Sequence, residues 1–386
     1  MIIFASEKYL RLQLSLCARF SCLTFKWNEA TKKVVNIPKN SSMKLKVDLS
    51  KAINLVYAIF QFAIILGNKY STPEKIEAFL FFSIYAIGVA LRFGYVGLTP
   101  GQMLNSLDIL EQKYRKIYGS KMHPNFPKDF LIMWLQPACY LNCLAIPVVI
   151  ALLLYNRPWQ PPFFGSFLFS LYPNQENRTL YACSLYNVSR FLILLLEYVI
   201  FSQTVLSASF HIIYVVVAGI CSISKYTGAL SYRPGPRENG ISEYRILHVA
   251  TNYVNDCIKH TLFPACIVEP PLLQMLGTFA CIKLRNEIDW PLFGLFPLIV
   301  CISFILTVMP LLAAGNVFVT TCQVLERWRS HVGEENGYWR RIVKSMRPLR
   351  IYFGGNFVDA STPLVVQDFC MRQIASLLMY SNSHRM

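Results

Sequence analysis

Charge is scarce in this chain, and acidic charge is scarcer still. Only 15% of the 386 residues are Asp, Glu, Lys or Arg, with 21 acids against 37 bases. With 54% apolar residues and a mean hydropathy of +0.39, the composition falls outside that of soluble globular proteins. Clustered chemistry is missing too. The six histidines stand singly and no CxxC pair occurs, so no zinc site is expected. No P-loop, GxGxxG, GxSxG or HExxH is present, so the chain is expected to be no enzyme and to need no cofactor. A cleavable signal is not expected either, because Glu7, Lys8, Arg11 and Arg19 interrupt the first twenty residues. Residues 9–20 predict a short amphipathic helix, with Leu10, Leu14, Cys17 and Phe20 at helical spacing.

Long apolar runs fill the rest. They lie at 52–68, 78–98, 130–156, 191–224, 261–282 and 290–325, each able to cover the roughly 20 residues a bilayer requires. The runs at 191–224 and 290–325 exceed that length and predict helices that continue into water. A seventh segment, 360–381, is the least apolar and carries Gln367, Asp368, Arg372 and Gln373. A charge at the bilayer centre costs a few kcal/mol or more, so this helix is expected to face water or partner helices and to line a pore. The fold class read from these runs is all-α, a polytopic membrane protein with seven transmembrane helices.

The formal charge of +16 suggests nucleic acid until its distribution is examined. With the N-terminus inside, the inner segments hold 27 Lys and Arg and the outer ones 7, while Arg92, Arg190 and Arg372 lie within spans. That asymmetry is the positive-inside rule, giving an inner N-terminus and an outer C-terminus and excluding nucleic acid as the partner. The sequon Asn177-Arg178-Thr179 then lies outside, making Asn177 the candidate glycosylation site. Most of the 12 cysteines fall in spans or on the inner side, where thiols stay reduced; pairing of Cys183 with Cys281 is left open.

The segments expected are 1–51, an inner N-terminal part; 52–325, six spans with long fourth and sixth helices; 326–359, an inner docking helix and link; and 360–386, the pore helix with a short outer tail. Residues 241–260 predict an amphipathic helix with Ile246, Val249, Tyr253, Cys257 and His260 near one face. Arg190 and Glu197, two turns apart on span four, are candidates for facing a polar ligand group, with headgroup snorkelling and helix packing as the plain alternatives. On the last helix Gln373, Leu377 and Ser381 share one face, with Ile374 and Leu378 on the neighbouring one. A ring of Leu377 would close a narrow pore by dewetting.

Seven spans with an inner N-terminus, an extended fourth span and the run MRPLRIYFGGNFVDASTPLVVQDFCMRQIASLLM resemble the insect chemoreceptor superfamily of odorant and gustatory receptors. Neither subfamily signature is intact: Ser376-Leu377-Leu378 keeps part of the odorant ending, and a divergent gustatory-type receptor fits best. The resemblance implies a plasma-membrane, ligand-gated, non-selective cation channel, built as a homotetramer or as a heterotetramer with a related receptor. It also implies a pocket for a tastant or odorant between spans two, three, four and six. There the sequence offers Phe79, Phe82, Tyr85, Cys143, Pro147, Val148, Arg190, Leu194, Glu197, Tyr198, Phe293 and Phe296. The alternatives are a G-protein-coupled receptor, disfavoured because no Asp-Arg-Tyr or Asn-Pro-x-x-Tyr occurs, and a secondary transporter.

Overall fold

Helices account for most of the computed structural model, which describes residues 2–38, 40–67, 70–93, 99–118, 144–170, 180–232, 238–285, 293–331 and 337–383. Five of them are long and apolar enough to cross a membrane, and they coincide with five of the apolar runs. These are α2 (Ser42–Leu66), α3 (Thr72–Phe93), a continuous rod of α7 (Leu180–Ser209), a π-helical stretch (Phe210–Val217) and α8 (Ala218–Ser231), α10 (Leu262–Lys283) and α11 (Leu295–His331). The shorter α5 (Leu144–Asn156) is the described part of the third run.

Helix α2 is polar on the inside. Its buried residues are Val47, Ser50, Asn54, Tyr57, Ala58 and Gln61, while Leu45, Leu49, Val56, Ile59 and Leu66 are exposed. Water would drive the opposite arrangement, whereas lipid makes apolar exposure neutral and leaves hydrogen bonds to hold the helix. Its start is capped by Ser41 Oγ, which accepts from Met43 N at 3.1 Å.

The N-terminal part differs from expectation. Helix α1 spans Ile2–Arg19, longer than the segment 9–20, and is followed by an antiparallel hairpin of β1 (Phe25–Asn28) and β2 (Lys33–Asn36) that the apolar pattern did not anticipate. Asn28 Oδ1 accepts from Ala30 N (3.0 Å), and Lys32 adopts φ 49°, which closes the turn. On α4 (Pro100–Tyr118), Asn105 pairs with the backbone of Val34 in both directions, at 3.1 and 2.9 Å, and fastens the hairpin to the bundle.

Two apolar cores result. One joins α1, the hairpin, α4, α8, α9 (Glu238–Ile258) and the far end of α11, with Trp328 fully buried. The other joins α2, α3, α5, α7, α10 and the first turns of α11 with α6 (Phe164–Ser170). The buried apolar face of α9 consists of Ile241, Tyr244, Leu247, Ala250, Val254, Cys257 and Ile258. Of the expected stripe Cys257 is buried and Ile246 packs against the core, while Val249, Tyr253 and His260 are exposed and the buried face takes in polar Thr251 and Asn255 instead. The Asn255 side chain donates to Arg350 O (2.8 Å) and accepts from Tyr352 N (3.0 Å). It thereby straps down a small hairpin, β3 (Tyr352–Phe353) and β4 (Asn356–Phe357), whose turn needs Gly354 at φ 56°. Burial also pushes the Cys257 thiol up to about 12, so it stays protonated at neutral pH.

After α11, the basic helix α12 (Gly337–Ser345) leads through that hairpin to α13 (Thr362–Ser383), which lies against α10 and α11.

Candidate functional site

An apolar cavity of about 370 Å³ opens among α3, α5, α7, the π-helical stretch, α10 and α11. Its walls include Tyr85, Ile146, Phe201, Thr204, Ile213, Leu273, Ile302 and Leu306, with Glu269, Ser209 and Ser303 as further polar groups. The size and lining are those of a small-molecule site.

Three of the wall-forming helices depart from regular geometry near the cavity. The π-helical stretch begins beside the lining residues Ala208 and Ser209 and contributes Ile212 and Ile213. Helix α10 contains Pro270 and Pro271, so the carbonyls of Cys266 and Ile267 cannot receive the usual i+4 donor. Pro310 does the same to the carbonyl of Leu306 on α11. Such interruptions loosen a helix locally and are common where a helix serves a site.

A polar network stands behind one wall. Asn54 Oδ1 accepts from the hydroxyls of Tyr85 (2.6 Å) and Thr204 (2.8 Å), both residues of the cavity lining. Its Nδ2 donates to Gln203 Oε1 (2.8 Å) and to Ser50 O (2.7 Å). Arg92, fully buried, donates to Ser50 Oγ at 3.0 Å. Each of these bonds stands in for one that water cannot supply inside a bilayer.

Of the residues expected to bind ligand, Tyr85 lines this cavity. Phe79 and Phe82 instead form an aromatic cluster with Phe62 of α2. Pro147 is buried, Val148 is exposed, and Leu194 and Tyr198 are half-buried, all outside the lining. Phe296 and Phe293 belong to the apolar core one to two turns before the lining stretch of α11. Cys143 and Asn177 lie outside the described residues, as does the side chain of Cys183.

Arg190 and Glu197 have separate partners. Arg190 donates to the carbonyl of Tyr155 and stacks over its ring at 5.0 Å. Glu197, fully buried, accepts from the Tyr57 hydroxyl (2.6 and 2.5 Å) and from Phe164 N at 2.7 Å. Phe164 is the first residue of α6, so Glu197 caps that helix from another part of the chain.

The last helix shows one face to its neighbours and the other to the outside. Pro363, Cys370 and Ile374 are buried; Gln373 is exposed, Leu377 is 39% exposed, and Leu378 and Ser381 are half-buried. Leu364, Val365, Phe369, Met371, Met379 and Tyr380 are also exposed. Asp368 and Arg372 form an i,i+4 ion pair at 2.9 Å on the open face. At the root of the helix Asp359 accepts from Thr362 N (2.8 Å), Thr362 Oγ1 (2.6 Å) and Ser361 N (3.1 Å), a capping cluster that holds its carboxyl below its ordinary value.

No protein-family model matches this chain, and no curated protein does. Among solved structures it is similar to the insect olfactory receptor OR5 from Machilis hrabei in complex with eugenol, at 10% identity and TM-score 0.47, over 97% of this chain and 98% of the receptor. A second structure of the same receptor gives 9% identity and TM-score 0.45, over 96% and 97%.

Proposed function

We propose that the chain is a chemosensory receptor of the insect chemoreceptor superfamily that acts as a ligand-gated, non-selective cation channel. Seven helices cross the plasma membrane with the N-terminus inside, following the Lys and Arg asymmetry of the loops. Four subunits, identical or from a related receptor, surround a pore lined by α13. A small tastant or odorant occupies the apolar cavity.

The observation that carries this reading is the position of α13. One face packs on α10 and α11, the same helices that wall the cavity, while the other carries a mixture of apolar, amide and charged side chains uncovered. That mixture suits neither lipid nor water alone, and it suits a helix shared between subunits and an aqueous path. A ligand that spreads the interrupted turns of α10 and α11 would move α13 with them.

Patch-clamp recording tests the reading. Cells expressing the full chain, alone or with a related receptor, are expected to pass cation current when small apolar compounds are applied. A protein at the cell surface that binds such compounds and passes no current would refute the channel.

A further inference from the structure

Three described carboxyls are buried in the apolar helices around the cavity, and their surroundings differ. Glu77 accepts from Gln160 Nε2 at 2.8 Å. Glu197 accepts from two donors within the chain, the Tyr57 hydroxyl and Phe164 N, as a structural carboxyl in a dry bundle requires. Glu269 is 9% exposed, lines the cavity, and makes no hydrogen bond or ion pair with any described residue. None of the described lining residues is Lys, Arg or His. The adjoining Pro270 and Pro271 also free the carbonyls of Cys266 and Ile267 from their helical donors, adding negative potential to the same turn.

We propose that Glu269 is the polar anchor of the cavity, and that its ligands are small apolar molecules carrying a basic amine. The proposal rests on the cavity being the ligand site. An unpaired carboxylate in this setting is costly, so the empty site holds the carboxyl neutral. An amine that enters neutral takes the carboxyl proton, and the resulting ammonium and carboxylate pair where no water competes. The remaining lining is apolar apart from a few hydroxyls, so the rest of the molecule has to be hydrocarbon.

The test uses the full chain in lipid nanodiscs and three probes of similar shape: 2-phenylethylamine, 2-phenylethanol and propylbenzene. The amine is expected to bind about ten- to a hundredfold more tightly than propylbenzene, the range of one charge-assisted hydrogen bond. Glu269→Gln should remove that margin and leave propylbenzene unchanged. Ala208→Phe, which fills the cavity, should weaken all three. A margin that survives Glu269→Gln overturns the proposal, as does an alcohol that binds as well as the amine, or binding indifferent to Ala208→Phe. If Glu269→Gln does not fold, the wild-type series decides, and equal affinity for amine and propylbenzene overturns the proposal. Binding of none of the three overturns the cavity itself as the ligand site, an outcome distinct from loss of the amine preference.

Discussion

Gln274 and Gln367 exchange side-chain amide hydrogen bonds, at 2.9 and 3.4 Å, across the contact between α10 and α13. Gln274 follows the cavity-lining Leu273, and Gln367 lies in the second turn of the last helix. A partly buried amide pair of this kind has two bonds to lose when the helices slide. Replacing either residue by Leu leaves the other amide unpartnered, at a cost of about 1–3 kcal/mol. Dose–response curves of Gln274→Leu and Gln367→Leu are expected to shift alike, with the double variant near either single one. Additive shifts would deny the coupling.

Gly315 offers a second link. A Cβ built there would lie 2.6 Å from the carbonyl oxygen of Asp359, the capping residue of α13. Gly315→Ala is therefore expected to change gating while the protein still reaches the cell surface. At Gly337 a Cβ meets nothing within 4 Å, so Gly337→Ala serves as the silent control. Surface labelling beside whole-cell current separates the two.

Much of this was visible in the sequence and some was not. Apolar runs report helices because bilayer length and hydropathy are local properties, and five runs coincide with long apolar helices. The N-terminal hairpin escaped notice because its strands are four residues long and its turn has no Asn-Gly signal. Glu197 was legible either as facing a ligand group or as fixing helix packing; the partners that hold it, Tyr57 of α2 and Phe164 N of α6, are contacts that spacing does not encode. Glu269 was legible as a carboxyl before a proline pair in a membrane-length segment; its place on the cavity wall was not.

Asp359 gives a pH prediction. Hydrogen bonds from Thr362 and Ser361 lower its folded value, so its contribution is complete above the unfolded carboxyl value of about 4 and is lost as pH falls through the lower folded value. Asp359→Ala should cost about 1 kcal/mol at neutral pH, the usual worth of a helix cap. Thermal unfolding in nanodiscs should show this difference at pH 7 and a smaller one in strong acid. Equal stability at pH 7 would remove the cap as a stabilising element.

The last helix separates two kinds of substitution. Leu377 is 39% exposed and Ile374 6%. Leu377→Ser should keep stability and give a constitutive cation leak, since a polar ring lets the constriction wet. Ile374→Ser should lower stability by about 2 kcal/mol through lost burial. Single-channel recording and thermal unfolding of both variants decide the matter; a leak from Ile374→Ser alone would place another face of the helix toward the pore.

An epitope tag before Met1 should be detected only in permeabilised cells, and one after Met386 in intact cells. The reverse pattern would contradict the Lys and Arg asymmetry and with it the channel reading.

The inward-facing polar stripe of α2 has a consequence for how the protein is made. Asn54 depends on Thr204, which lies 150 residues later in the chain. At about 5–20 residues per second, synthesis leaves α2 in or beside the bilayer for roughly 8–30 s before that partner exists. During that interval Ser50, Asn54, Tyr57 and Gln61 face either lipid or whatever the insertion machinery supplies. The nascent helix is therefore a natural client for a membrane chaperone, and the side chains that later seal the bundle are the ones that would hold it there.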